Sequence, residues 1–166
     1  MTLMREFRLS NNRIGGSIPA ELRRWRFLET LDLSNNDLTG RLPFSHGGWN
    51  MLKSVDLSVN KFQGAIPGGI GRQERITKLF LRDNLLVGPV PTEIGGMTSL
   101  RSLILDQNDL TSLPSEIGQL SKLENVMMAS NKLAGSIPTE IGKLTKMRKL
   151  IAALVHSAKC DASDAH

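Results

Sequence analysis

The chain has 166 residues, 40% hydrophobic and 22% charged, which suits one soluble folded domain with a real core. A single cysteine, Cys160, excludes an intrachain disulfide and argues against a cysteine-based zinc site; aromatics at 4%, with no tyrosine, argue against a base-stacking nucleic-acid platform. The net charge of +5 is modest and means little before it is located. No apolar run reaches the ~18–20 residues of a membrane span, and Met1–Glu6 lacks the continuous apolar stretch of a secretory leader.

A fixed period runs through the chain. Asn12, Asn36, Asn60, Asn84, Asn108 and Asn131 are spaced 24, 24, 24, 24 and 23 residues apart. Pro19, Pro43, Pro67, Pro91, Pro114 and Pro138 keep the same interval, as do the lead apolar residues Met4, Leu28, Leu52, Ile76, Leu100, Leu123 and Met147. This divides the chain into six tandem units within residues 1–146, starting at about 4, 28, 52, 76, 100 and 123, followed by a tail.

Each unit opens with a period-2 stretch, such as Leu31-Asp32-Leu33, that predicts a short strand. The Asn follows, where the chain leaves the strand. Two residues later comes an apolar position (Ile14, Leu38, Phe62, Leu86, Leu110, Leu133), then a Gly, then an apolar-Pro pair such as Ile18-Pro19. A further apolar residue and a large closing one (Trp25, Trp49, Met97, Leu120, Leu144) complete the unit. A coil of this length returns on itself once, so like residues stack into columns and successive strands pair as a parallel sheet ~4.8 Å apart. The Asn amide is placed to satisfy backbone groups that the turn leaves unpaired inside the coil.

Along the chain the units depart from this pattern in turn. Unit one crowds Arg5, Arg8, Arg13, Arg23, Arg24 and Arg26. Unit two has His46 where its neighbours have Leu22 and Ile70. Unit three closes on Gln73, and a buried, unpaired side chain of this kind costs ~1–3 kcal/mol; the outer face is expected to be looser around residues 45–50 and 68–75. Unit five, around Asp109-Leu110-Thr111-Ser112-Leu113-Pro114, has lost one residue and its Gly. Met147, Leu150, Ile151, Leu154, Val155 and Ala158 fall at i, i+3, i+4, i+7, i+8 and i+11, which predicts an amphipathic helix over about 146–158. Residues 147–159 are thus either a capping helix or a degenerate seventh repeat, and residues 160–166 a disordered tail.

These residues resemble the leucine-rich repeat family in its plant-type 24-residue class, with the pattern LxLSxNxLTGxIPxxIGxLxxL. It is met by Leu31-Asp32-Leu33-Ser34-Asn35-Asn36-Asp37-Leu38-Thr39-Gly40 and by Gly135-Ser136-Ile137-Pro138-Thr139-Glu140-Ile141-Gly142-Lys143-Leu144, and it spans 143 of the 166 residues. The resemblance implies an α/β repeat: a right-handed solenoid with a parallel concave sheet and an irregular or 3-10 convex side, closed here by the short C-terminal helix. It also implies protein binding, as in receptor-like proteins. The family's cysteine-paired caps are missing and the chain starts inside a first strand, so a fragment is expected at the N-terminus.

Catalytic groups do not converge. His46, His156 and His166 have no metal spacing, and Cys160 has no companion ligand. Gly68-Gly69-Ile70-Gly71 imitates a phosphate loop without the Lys-Ser/Thr. Asp32 and Asp56 share a column as repeated polar strand positions rather than as an acid pair. No strand is left over for a kinase. The sequence therefore predicts no catalytic residue, cofactor or metal.

Alternation exposes every second strand residue. The first outward column is Glu6, Thr30, Ser54, Lys78, Ser102, Asn125; the middle is Arg8, Asp32, Asp56, Phe80, Ile104, Met127; the third is Ser10, Ser34, Ser58, Arg82, Asp106, Ala129. The middle column turns from charged to apolar at unit four. Phe80, Ile104 and Met127 form a strip ~10 Å long, bordered by Lys78, Arg82, Arg101 and Asp106, and an apolar centre with a charged rim is the anatomy of a protein interface. The basic clusters of unit one and of Lys143, Lys146, Arg148 and Lys149 lie at opposite ends, which argues against a continuous nucleic-acid groove.

The expected function is a non-catalytic module binding a protein or peptide on its concave sheet, without nucleic acid and with no membrane span in this chain, within an array that includes further repeats or a receptor partner. The alternative is a free intracellular scaffold, cytoplasmic rather than extracellular or membrane-associated. None of the ten asparagines heads an Asn-x-Ser/Thr acceptor site, which leans towards the alternative. The Gly-x-Ile-Pro signature leans the other way, because the class it resembles is mostly extracellular.

Overall fold

A computed structural model describes residues 3–44 and 49–152. Short strands at the head of each unit pair in parallel: β1 (Glu6–Arg8), β3 (Thr30–Asp32), β5 (Ser54–Asp56), β7 (Lys78–Phe80), β9 (Ser102–Ile104), β11 (Asn125–Met127) and β12 (Lys149–Ile151). They build a seven-stranded sheet in strict chain order. Between them lie β2 (Gly15–Gly16), β4 (Asp37–Gly40), β6 (Lys61–Gly64), β8 (Leu85–Gly88) and β10 (Asp109–Leu110), which form a second parallel ladder of five. Unit five, one residue short, keeps only the two-residue β10 on this side, and the ladder ends there. The outer side carries short 3-10 helices at Ala20–Arg24, Gly68–Arg72, Thr92–Gly96, Ser115–Gln119 and Thr139–Lys143, each entered from a proline whose φ is preset for the turn. This is the right-handed leucine-rich repeat solenoid, with the parallel sheet on its concave side.

The core follows from period 2 on the strands and from the column rule. Leu31, Val55, Leu79, Leu103 and Val126 point inward from consecutive strands and are essentially fully buried. Leu38, Phe62, Leu86 and Leu110 close the coils from the second ladder. Trp49 donates its Nε1–H to the Leu22 carbonyl at 2.9 Å, so the indole fills the column without leaving its polar atom unpaired.

The residue just before each ladder Asn lies in the left-handed region, with φ between 53° and 60° at Asn11, Asn35, Val59, Asp83, Gln107 and Ser130. Asn and Asp tolerate this conformation; a β-branched residue does not. Val59, 38% exposed, carries the strain with little burial in return. Val59→Asn is expected to stabilise the chain by about 1 kcal/mol, read as a raised urea midpoint; an unchanged or lowered midpoint contradicts the strain argument.

Gln73 occupies the column of Trp25, Trp49, Met97, Leu120 and Leu144. It is 5% exposed, and its Oε1 is buried without a hydrogen-bond partner. Gln73→Leu removes that penalty and keeps the volume, so a gain of about 1–3 kcal/mol is expected. Thermal and urea unfolding check it, and a loss of stability contradicts it. His46, the other irregular core position, lies outside the described residues.

The helix expected over 146–158 is not formed where the chain is described. Lys149–Ile151 is strand β12, in register with β11. Arg148 and Lys149 donate their N–H groups to the Glu124 carbonyl at 2.8 and 3.1 Å, and Met128 N–H reaches the Ile151 carbonyl at 2.8 Å. These repeat the bonds by which Glu124 and Asn125 hold the Arg101 carbonyl one coil earlier. The unpaired edge of β11 offers these residues a ladder, which an isolated helical turn cannot match. Residues 153–158 of the expected helix, and the tail from 160, lie outside the described residues.

Candidate partner-binding face

The register converts the columns into neighbours. Asp32 pairs with Asp56, Asp56 with Phe80, Phe80 with Ile104, Ile104 with Met127 and Met127 with Ile151. Phe80, Ile104, Met127 and Ile151 are all half-buried and run as one apolar row, ~14 Å from first to last at the interstrand spacing. Ile151 and, in the first column, Lys149 were missed as members of the face because their segment was read as helix. The signal was present: Met147 keeps the interval of the lead apolar residues, so Lys149 and Ile151 follow it as Asn125 and Met127 follow Leu123.

The other candidate residues differ in what they can offer. Lys78 is exposed. Arg82 is exposed and donates Nε–H to Gln107 Oε1 at 2.8 Å. Arg101 lies beside the sheet in an ion pair with Glu124 at 2.6 Å. Asp106 is no open rim residue: it is only 7% exposed, and its Oδ1 accepts the Ala129 N–H at 2.9 Å. At this position the chain bends out of the strand, and the short carboxylate folds back onto the next coil's backbone. Asp32 and Asp56 instead bond within their own turns, each Oδ1 accepting an N–H, from Ser34 at 3.1 Å and Ser58 at 2.9 Å.

The Asn column forms the rigid support behind the face. Asn60 donates Nδ2–H to the carbonyls of Leu33, Leu57 and Ser58 and accepts Leu38 N–H on Oδ1, at 3.0–3.3 Å. Asn36, Asn84, Asn108 and Asn131 repeat the set. Asn12, in the first coil, is exposed, and among the described residues its side chain bonds only to the carbonyls of Leu9 and Ser10. Charges flanking the sheet are paired from coil to coil. Glu29 sits between Lys53 at 2.6 Å and Arg5 at 2.9 Å; the Lys53 hydrogen bond, with the charges of Lys53 and Arg5, holds its carboxyl below the usual range. Lys61 likewise lowers Asp37.

Among the described residues no helix is long and apolar enough to cross a membrane, and no three His, Cys, Asp or Glu side chains are grouped to hold a metal ion.

Comparison with known proteins agrees with this geometry. The family model described as Leucine Rich Repeat matches residues 4–25, 27–49 and 99–120. A search of the curated proteins gives no match. Among solved structures, the plant peptide hormone receptor RGFR1 in complex with RGF2 is 36% identical with a TM-score of 0.88, over 90% of this chain and 24% of that one. PEPR1 in the PEPR1–AtPEP1 structure is 31% identical with a TM-score of 0.84, over 89% of this chain and 21% of that one. The chain thus spans less than a quarter of the length of either of those two chains. A chain of the BIR3–SERK2 complex from Arabidopsis thaliana is 30% identical with a TM-score of 0.66, over 89% of this chain and 72% of that one. With its Asn column, its 24-residue coils and these relatives, the chain belongs to the leucine-rich repeat family, in its plant-type, receptor-like class.

Proposed function

We propose that the chain is a non-catalytic binding module of a receptor-like protein and takes a protein or peptide partner on its concave sheet. The observation that carries this reading is the row Phe80–Ile104–Met127–Ile151, four half-buried apolar side chains in consecutive register on an otherwise polar sheet face. A solvent-facing strand position gains nothing from being apolar in four neighbouring coils, whereas a partner that covers the row buries all four. The similar structure of the plant peptide hormone receptor RGFR1 in complex with RGF2 supports the same reading.

The test is selection of peptide binders from a displayed library against the 166-residue chain, followed by substitution. Phe80→Ala and Ile104→Asp are each expected to weaken a selected binder at least about thirtyfold, with the unfolding midpoint largely kept because neither side chain is in the core. Lys122→Glu, away from the sheet face, is expected to leave affinity unchanged. Unaltered affinity in both face variants places the site elsewhere.

A further inference from the structure

The concave face changes sign along the solenoid. On β1, β3 and β5 its charged residues are Glu6, Arg8, Asp32 and Asp56. Glu6 and Arg8 pair with each other at 3.2 Å; Arg8 is the register neighbour of Asp32 without an ion pair to it among the described residues, and Asp32 and Asp56 are neighbouring carboxylates one strand apart. No cation lies within ion-pair distance of either among the described residues. Like charges set directly opposite in a sheet repel, and a cation placed over both relieves that repulsion.

From β7 onward the charges are Lys78, Arg82 and Lys149, none of which has a carboxylate within 4.0 Å among the described residues. Among the described residues the one acid in the outward columns of this half, Asp106, is buried and bonded to the Ala129 N–H. The flanking rows behave differently: Arg5, Lys53, Lys61, Arg101 and Lys132 all meet a carboxylate at 2.6–3.0 Å. Those flanking cations are neutralised within the fold, whereas Asp32, Asp56, Lys78, Arg82 and Lys149 on the sheet face make no ion pair among the described residues.

The spacing orders these features. Strands are ~4.8 Å apart, and an extended peptide crossing them advances ~3.4 Å per residue with alternate side chains facing down. A side chain over Asp32 and Asp56 is then followed, two residues on and ~7 Å further, by one over Phe80, between Lys78 and Arg82. Two residues more reach Ile104, and two more reach Met127 and Ile151. A row one side chain wide fits an extended segment better than a flat protein surface, and half-buried Ser102 and Asn125 lie alongside to bond its backbone.

We infer that the ligand of this face is an extended peptide segment with the order basic, acidic, apolar, apolar at alternate positions. The basic side chain seats over Asp32 and Asp56. The acidic one lays its stem on Phe80 and its carboxylate between Lys78 and Arg82. The apolar pair covers Ile104, Met127 and Ile151. The inference rests on the concave-face reading proposed above and adds the chemistry of the ligand.

Two end-blocked, fluorescently labelled peptides of identical composition test it by anisotropy on the full chain: Arg-Ser-Glu-Ser-Leu-Ser-Leu and its charge-exchanged form Glu-Ser-Arg-Ser-Leu-Ser-Leu. The first is expected to bind at least about tenfold more tightly, with the gap narrowing in high salt. The double variant Asp32→Asn, Asp56→Asn keeps both Oδ1 acceptors, so folding is preserved, and is expected to erase most of the preference. Lys78→Gln with Arg82→Gln is expected to do the same. Equal binding of the two peptides that Phe80→Asp abolishes overturns the charge order and leaves the concave site standing. Binding indifferent to Phe80→Asp overturns both. Failure of Arg-Ser-Glu-Ser-Leu-Ser-Leu to bind overturns the charge order, and the library selection then decides the concave site alone.

Discussion

Asn84→Ala is expected to cost about 2–4 kcal/mol of stability, while Asn12→Ala costs under about 1 kcal/mol. Asn84 is 6% exposed. Its Nδ2 donates to the carbonyls of Leu57, Leu81 and Arg82 at 3.0–3.2 Å, and its Oδ1 accepts Phe62 N–H at 3.0 Å. One side chain therefore ties coil three to coil four and satisfies an N–H that no water reaches. Alanine leaves the Phe62 N–H without that acceptor and opens a small cavity in the column. Asn12 has no coil before it among the described residues, and water replaces whatever its amide gives up. Urea unfolding followed by Trp25 and Trp49 fluorescence measures both. Equal losses at the two positions would falsify the view that the column acts by joining coils.

The second large effect separates two glycines at one repeat position. Gly71→Ala is expected to destabilise by about 2–4 kcal/mol, and Gly142→Ala to be neutral or to stabilise by about 0.4–1 kcal/mol. A Cβ on Gly71 would meet the backbone oxygen of Glu93 at 2.1 Å and its carbonyl carbon at 2.9 Å. Backbone cannot swing aside as a flexible side chain does, so the 3-10 helices of coils three and four must separate. A Cβ on Gly142 meets no described atom within 4 Å, so alanine there chiefly restricts the unfolded chain. Gly118 belongs with Gly71, because its Cβ would lie 2.6–2.7 Å from Cβ and O of Glu140. Thermal unfolding of the three variants is the check, and a Gly71→Ala protein as stable as the parent contradicts the packing argument.

These predictions draw on different levels of legibility. The Asn column could be read from spacing alone, because a residue that returns every coil stacks on itself. The middle column Arg8, Asp32, Asp56, Phe80, Ile104, Met127 was legible for the same reason, and the register pairs its members directly. Asp106 was not legible. Alternation marks it as outward, but its carboxylate turns back to Ala129 N–H, and Asp32 at the head of the turn does something else with the same chemistry. The C-terminal segment was ambiguous in a specific way. Met147, Leu150 and Ile151 satisfy helical spacing and the strand pattern of a further unit alike, and the open edge of β11 settles it as strand.

What the sequence by itself determined is the solenoid: its coil length, its inward columns, its parallel pairing and the place where the concave face changes character. Periodicity suffices for this, because identical positions in successive coils meet identical surroundings. Only the tertiary structure decided where identical positions meet different ones. Among the described residues Gly71 has a coil packed upon it and Gly142 does not, the Asn84 side chain bonds to two coils and that of Asn12 to one, and Lys149–Ile151 is a strand because β11 lies beside it. Those differences come from contacts between neighbouring coils, which no residue carries in its own spacing.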